Sequence, residues 1–263
     1  MTQPEAVEIH PTAVVAASTR LGKGVRIGPY AVVGADVVLL DAVEVGPHAV
    51  IDGHTTIGSG TRIFSFASVG LDPQDVHYRG EPTRVEIGER CQVREFVSIH
   101  RGTESGGGLT RVGDDCMLMA YTHVAHDCRV GDRVVMANGA TLAGHVEIQD
   151  HAVIGGLTAI HQFARVGRNA FIGGASAVSM DVVPFLSAAG NRARLTGVNV
   201  VGLRRSGFSE ETISAIRQAH RVVFRSNLRL EQAIEELEKE LSSLPEVQCM
   251  LEFLQTGQRG FCR

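Results

Sequence analysis

The seven residues THVAHDC, 122–128, put two imidazoles, a carboxylate and a thiol into one short stretch. An imidazole titrates near neutral pH, so His123 or His126 can take a proton, and Asp127 beside His126 can fix which ring nitrogen carries one. The same side chains are also metal ligands, and on a solvated edge they are ordinary surface groups. Asp75 lies upstream, and His145, His161 and Gln162 lie downstream at separations that matter once the fold is known. Which chemistry is open to them depends on where the backbone points each side chain.

The elements that do the pointing have an unusual period. Aliphatic residues recur at every sixth position from Ile9 through Val15, Leu21 and Ile27 to Val69, again from Ile87 to Ile99, and again from Val112 to Val178. Four residues after each comes a small or β-branched one, such as Ala13, Thr61, Cys116, Ala140 or Ser176. Glycine often follows the aliphatic residue directly, as in IGPYAV and VGPHAV. A period of six fits neither an amphipathic helix nor simple strand alternation. It is the hexapeptide signature of a parallel β-helix, and it predicts a mainly β chain in which three hexads close a triangular coil of 18 residues. The aliphatic residue points inward, the glycines are expected to turn the corners, and stacked coils pair about 4.8 Å apart.

Two breaks in the series predict loops near 71–86, around LDPQDVHYRGEPTR, and near 100–111, around HRGTESGGGLTR. Loops leaving a rigid solenoid are usual places for function. After Val178 the hexads fade. Ser209 reads as the N-cap of EETISAIRQAHRVVFRS, then comes LRLEQAIEELEKELSSL and a further segment after Pro245. The expected organisation is a β-helix over residues 1–196 and a C-terminal α-helical domain over 197–263.

In a coil of 18, residues i and i+18 stack, so His126 lies under Gly144 and Gly144 under Gln162. Asp127 lies under His145, His145 under Phe163, and Ala143 under His161. His126 with Asp127 can then serve as a general base, and the side-chain-free Gly144 can bring its backbone N–H to a substrate carbonyl as an oxyanion donor. Surface decoration is an equally good account of the columns alone. Hexapeptide prisms of the γ-type carbonic anhydrases hold zinc on three histidines, but His126 and His145 are offset by one column here, and no metal is expected.

Composition narrows the field. The chain has 263 residues, 44% hydrophobic and 21% charged, with a formal charge of −4, which argues against nucleic acid as a partner. No apolar run approaches the length of a membrane span, so an integral membrane protein is not expected. MTQPEAVEIH lacks the basic start and apolar core of a signal peptide, and five unevenly spaced cysteines suggest free thiols. A cytoplasmic location follows as the expectation.

The motifs FASVGLDPQDVHYRGEPTRVEIG, IHRGTESGGGLT, HVAHDCRVG, NGATLAGHV, IGGLTAIHQF, AAGNRARLTGVN and RSGFS carry a closer likeness. Through them the chain resembles the UDP-N-acetylglucosamine 3-O-acyltransferase family, whose members open lipid A biosynthesis, from IHPTAV to RGFCR. The resemblance implies a left-handed β-helix, a cytoplasmic homotrimer with sites between prisms, and transfer of a 3-hydroxyacyl group from acyl carrier protein to the 3-hydroxyl of UDP-N-acetylglucosamine. The donor travels on the carrier's phosphopantetheine, and no other cofactor is implied. By motif, His126 becomes the base, Asp127 its orienting partner and Gly144 the oxyanion donor. Asp75, Gln74, His77, His123 and His145 would meet the sugar and its phosphates, His161 and Gln162 the diphosphate, and Asn199 and Arg205 the uridine. Gly174 falls where the family sets the depth of its acyl groove, and glycine there permits a longer chain.

The chain departs from the family pattern at His77, where lysine is common, at Val201, where an acid is common, and at Ser206, where a second arginine is common. These bear on nucleotide contacts, and the motifs admit an acceptor with a hydroxyl or an amine at the 3-position and leave acyl length open. The related N-acyltransferases of the same pathway normally carry an extra N-terminal domain, for which hexads beginning at Ile9 leave no room. Arg217, Arg221 and Arg225 recur every four residues as one basic stripe on the first long helix. Acyl carrier protein is acidic, so the stripe is a docking face for it, with internal pairing to ELEKEL as the alternative. A zinc hydratase and a non-catalytic scaffold are the competing functions.

Overall fold

The computed structural model describes residues 6–241 and 244–263. Among these, successive two-residue strands fall in turn on three sheets of eleven, nine and eight strands. Glu8–Ile9, Val14–Val15 and Arg20–Leu21 each start or join a different sheet, and Arg26–Ile27 returns to pair in parallel with Glu8–Ile9. The result is a left-handed parallel β-helix of triangular section. The aliphatic column fills its interior: Leu39, Ile51, Ile57, Leu118, Leu142 and Ile154 are fully buried. Ile9 departs from the expectation, at 45% exposed, because the first coil has no coil beneath it.

The glycines serve a purpose other than the one expected. The left-handed corner residue is usually a larger one, two positions after the glycine: Tyr30 at φ 58°, His48 at 59°, Asp115 at 56°, Arg133 at 55°. The glycine itself sits where coils touch. A Cβ on Gly58 would lie 2.4 Å from the carbonyl carbon of Gly88, and one on Gly113 would lie 2.2 Å from Asp132 Oδ1. Close approach of stacked backbones, not positive φ, selects glycine here.

Both insertions are shorter than the breaks in the hexad series suggested. Strands Ser68–Leu71 and Arg84–Ile87 bracket the first, leaving 72–83 as loop, and Ser98–His100 and Leu109–Val112 bracket the second, leaving 101–108. Ladder hydrogen bonding extends into the flanks because each flanking residue has a coil neighbour to pair with, as Arg84 pairs with Leu109.

Beyond the last hexad, Leu186–Ala189 adds to the eleven-stranded sheet in parallel and turns back antiparallel to Arg194–Val198, later than the hexad series alone suggests. Four helices follow: α1 (Val200–Arg205), α2 (Glu210–Arg225), α3 (Leu230–Glu240) and α4 (Pro245–Gln255). Ser209 caps α2, accepting from the Thr212 N–H at 3.2 Å, and Pro245 begins α4. Ile213, Ile216, Leu237, Met250 and Leu254 bury their apolar faces against Phe185 and Leu186 at the prism end. Arg165 locks the joint, donating to Asp181 at 2.8 Å and to the Phe253 carbonyl at 3.0 Å. No helix among the described residues is long and apolar enough to cross a membrane.

Candidate active site

His123 and Val124 form a strand of the nine-stranded face, Arg129 and Val130 one of the eight-stranded face, and residues 125–128 make the corner between them. Val124 and Cys128 point inward and are fully buried, with the Cys128 thiol donating to the Ala143 carbonyl at 3.1 Å. Burial pushes that thiol up to about 12, so it is a packing group. All five cysteines are free. Asp127 takes the left-handed corner conformation at φ 60°, which turns its carboxylate back under the ring of His126.

His126 Nδ1 lies 2.9 Å from Asp127 Oδ2. An ionised carboxylate only accepts, so Nδ1 carries the hydrogen and Nε2 keeps its lone pair. Gly144 lies against that ring: a Cβ there would be 2.5 Å from His126 Cε1 and 2.6 Å from Nε2. The Gly144 carbonyl accepts from Phe163 N–H at 3.2 Å, while its own N–H donates to no group among the described residues. A base with a defined tautomer therefore stands beside an unused backbone donor.

The neighbouring imidazoles are tuned differently. His123 Nδ1 is 2.7 Å from Ser98 Oγ, and burial, reinforced by the charges of His100 and His126, lowers its pKa to about 4. Burial also lowers His145, partly offset by Asp127, and its ring packs edge-on against His126 at 5.1 Å and stacks on Phe163 at 4.5 Å. Both are neutral hydrogen-bonding groups at neutral pH. His126 alone bonds a carboxylate directly. His126, Asp127 and His145 offer ligand atoms within 4.8 Å of one another, so the column offset does not separate them. Asp127 Oδ2 already accepts from His126 and from the Thr103 hydroxyl at 2.7 Å, which fits a proton-handling pair better than an open ligand.

The fold around this pair has close relatives. Residues 181–262 match the family model for UDP-N-acetylglucosamine O-acyltransferase domain 2, and 109–144 match the bacterial transferase hexapeptide. The acyl-[acyl-carrier-protein]–UDP-N-acetylglucosamine O-acyltransferase of Myxococcus xanthus is 50% identical over 97% of this chain and 99% of its own. Its namesake from Thermodesulfovibrio yellowstonii is 48% identical over the same shares. The solved UDP-N-acetylglucosamine acyltransferase of Campylobacter jejuni superposes with a TM-score of 0.93 at 42% identity, covering 97% of this chain and 99% of that one.

The chain belongs to the UDP-N-acetylglucosamine O-acyltransferase family.

In this family member the 72–83 loop overhangs the histidine edge, tied down by residues the sequence motifs did not single out. Arg101 reaches back to the Gly70 carbonyl at 2.8 Å, to the Tyr78 hydroxyl at 2.8 Å and to the Asp72 carboxylate, while His100 Nδ1 bonds the Asp72 carbonyl at 2.6 Å. That anchoring holds Asp75 close enough for its charge to act on His145. Asp75 also accepts from the His77 backbone N–H at 2.8 Å, and Gln74 and His77 are exposed on the same loop. Arg101 lies within the motif IHRGTESGGGLT, yet nothing in its spacing there marks it as the anchor of the first loop.

His161 and Gln162 stand exposed one coil beyond Gly144, with His161 Nδ1 3.0 Å from the Gln162 carbonyl. His161 also borders a cavity of about 550 Å³ over the nine-stranded face, floored by the small residues Thr141, Ala143, Ala159 and Ala177. Gly174 is exposed at the corner between the eleven- and nine-stranded faces, where a Cβ would meet the Gly156 carbonyl at 3.2 Å.

Asn199 and Arg205 are not brought to the histidines within one chain. They line a separate cavity of about 560 Å³ beside the eleven-stranded face, with His151, Phe171, Val201 and Ser206. Asn199 caps α1, accepting from Gly202 N–H at 3.1 Å, and donates to the Asn169 carbonyl at 2.9 Å, so part of its capacity is structural. Ser206 Oγ lies 3.4 Å from Asn169 Nδ2, filling its place with a local contact. Arg217, Arg221 and Arg225 project from α2 into solvent, and none pairs with an acid of α3 among the described residues.

Proposed function

We propose that this chain transfers a 3-hydroxyacyl group from the phosphopantetheine of acyl carrier protein to the 3-hydroxyl of UDP-N-acetylglucosamine, the opening step of lipid A biosynthesis. The observation that carries the reading is the Asp127–His126 pair set against the unused Gly144 N–H. His126 Nε2 takes the proton of the sugar hydroxyl as its oxygen attacks the thioester carbonyl. The Gly144 N–H donates to the oxyanion that forms. Collapse breaks the carbon–sulfur bond, and the departing thiolate takes the proton back from His126. No metal or further cofactor enters these steps. His123 and His145, kept neutral by burial, serve as sugar hydrogen-bonding partners with Asp75 and Gln74, while His77, His161 and Gln162 face the diphosphate.

Asn199 and Arg205 lie on a face other than the one bearing His126, which supports a homotrimer in which a neighbouring prism brings them to the site. The floor of Thr141, Ala159 and Ala177 running towards Gly174 suits an acyl chain lying along the nine-stranded face. A cytoplasmic location accords with both substrates. The deciding assay incubates purified protein with a mixed pool of acyl carriers and sugar nucleotides and reads products by mass spectrometry. An O-acylated sugar nucleotide is expected. Absence of transfer from every donor would leave a scaffold, and loss of turnover with chelator would favour a metal site.

The exposed stripe Arg217, Arg221 and Arg225 is the proposed carrier-docking face. Reversing all three to glutamate is expected to raise the apparent KM for carrier-linked donor roughly tenfold at low salt, with kcat nearly unchanged and the difference shrinking as salt rises. An unchanged KM in a steady-state assay would confine the stripe to a structural role.

A further inference from the structure

The glycine-rich second loop has a task that neither the hexad pattern nor the acyl-transfer chemistry accounts for. Loop 101–108 folds over Asp127, and Thr103 is its point of contact. The Thr103 N–H donates to Asp127 Oδ1 at 3.0 Å and Oδ2 at 3.1 Å, and its hydroxyl donates to Oδ2 at 2.7 Å. Thr103 is 4% exposed and Asp127 6%, so water does not compete for these bonds. The same hydroxyl accepts from Gly106 N–H at 3.2 Å, capping the short 3-10 turn Glu104–Gly106. The carboxylate only accepts, so the hydroxyl's single hydrogen goes to it and Ser105 Oγ, 3.2 Å away, donates to the Thr103 oxygen.

The glycines make this approach possible. A Cβ on Gly106 would lie 2.0 Å from Asp127 Cγ, and one on Gly102 would lie 2.8 Å from Asp127 Oδ1. Gly107 at φ 93° and Gly108 at φ 74° then return the chain to the strand Leu109–Val112. A buried carboxylate stays ionised only when donors surround it. From Thr103, two donors hold it on one side and leave Oδ2 aimed at His126 Nδ1 at 2.9 Å.

We propose that Thr103, with the glycine loop that carries it, is the positioning residue for the His126–Asp127 pair. It touches no substrate and acts through the carboxylate, and the proposal rests on His126 being the base. The titratable groups facing His126 are Asp127, His145 edge-on at 5.1 Å and His123, with Asp75 acting on His145 from the first loop. Of these, Thr103 bonds Asp127 alone, so a change at Thr103 reaches His126 through that carboxylate.

The test follows the His126 ring by NMR titration in the unliganded protein and, separately, the pH profile of acyl transfer, in Thr103→Val, Thr103→Ser and Gly106→Ala. Valine removes the hydroxyl donor, so the less neutralised carboxylate holds the imidazolium more strongly. The His126 midpoint is expected to rise and kcat to fall roughly tenfold, with KM for the sugar nucleotide unchanged. Serine restores the donor and is expected to recover both readouts. Gly106→Ala sets a Cβ against the Asp127 carboxyl where Thr103 clamps it, and is expected to lower kcat as well. A wild-type midpoint and kcat in Thr103→Val, or a serine variant as impaired as the valine one, would overturn the proposal. A midpoint that moves while kcat does not leaves the clamp standing and removes His126 as the base.

Discussion

His126→Ala is expected to lower kcat for acyl transfer roughly a thousandfold, about 4 kcal/mol of transition-state stabilisation, while the protein stays folded. The size follows from what is lost: the imidazole of the cluster that hydrogen-bonds a carboxylate and sets its Nε2 beside Gly144. His123 is a poor substitute, because a base held down to about 4 has little driving force to take a hydroxyl proton. What remains is the Gly144 N–H and the bound geometry, which together keep transfer above the uncatalysed rate. Stability is spared because the ring sits at the corner surface and Asp127 keeps its two donors from Thr103. Single-turnover transfer and a thermal melt check both halves. Residual kcat within tenfold of wild type would remove the base assignment.

Part of this site was legible because a solenoid turns sequence spacing into distance. Once six-residue periodicity gives three faces, adding 18 puts Gly144 beside His126 and His145 beside Asp127, and both juxtapositions are present. The rule fails where loops interrupt the count. His123 bonds Ser98, 25 residues upstream, and Asp127 bonds Thr103, 24 upstream, because the second insertion lies between those coils. No periodicity points to Thr103 or Arg101, whose partners are set by the path of a loop. The corner glycines depart from the hexad expectation for a related reason. Sequence marks a residue with no side chain, but the need at Gly58 and Gly113 is room for the next coil, while the left-handed turn falls on Asp115 and Arg133. Asn199 and Arg205 are legible as motif residues, yet a single prism holds them on another face.

Gly144→Ala is expected to cost roughly a hundredfold in kcat, although it leaves the oxyanion N–H in place and adds a single methyl group. Gly144 is outside the left-handed region, so alanine meets no backbone strain there. Its Cβ would nevertheless stand 2.5 Å from His126 Cε1 and 2.6 Å from Nε2, the atom that takes the proton. The backbone at 144 is held by ladder bonds on both sides, with Phe163 N–H on its carbonyl and His145 N–H on the His126 carbonyl, so the ring must yield. A displaced ring loses either its 2.9 Å bond to Asp127 or its line to the substrate hydroxyl. Added to His126→Ala, the same methyl has no ring to displace and should change kcat less than about threefold. Equal losses in the two backgrounds would mean that the methyl acts on the oxyanion donor itself. A loss confined to the wild-type background assigns the effect to the ring, and identifies glycine at 144 as space kept for the base.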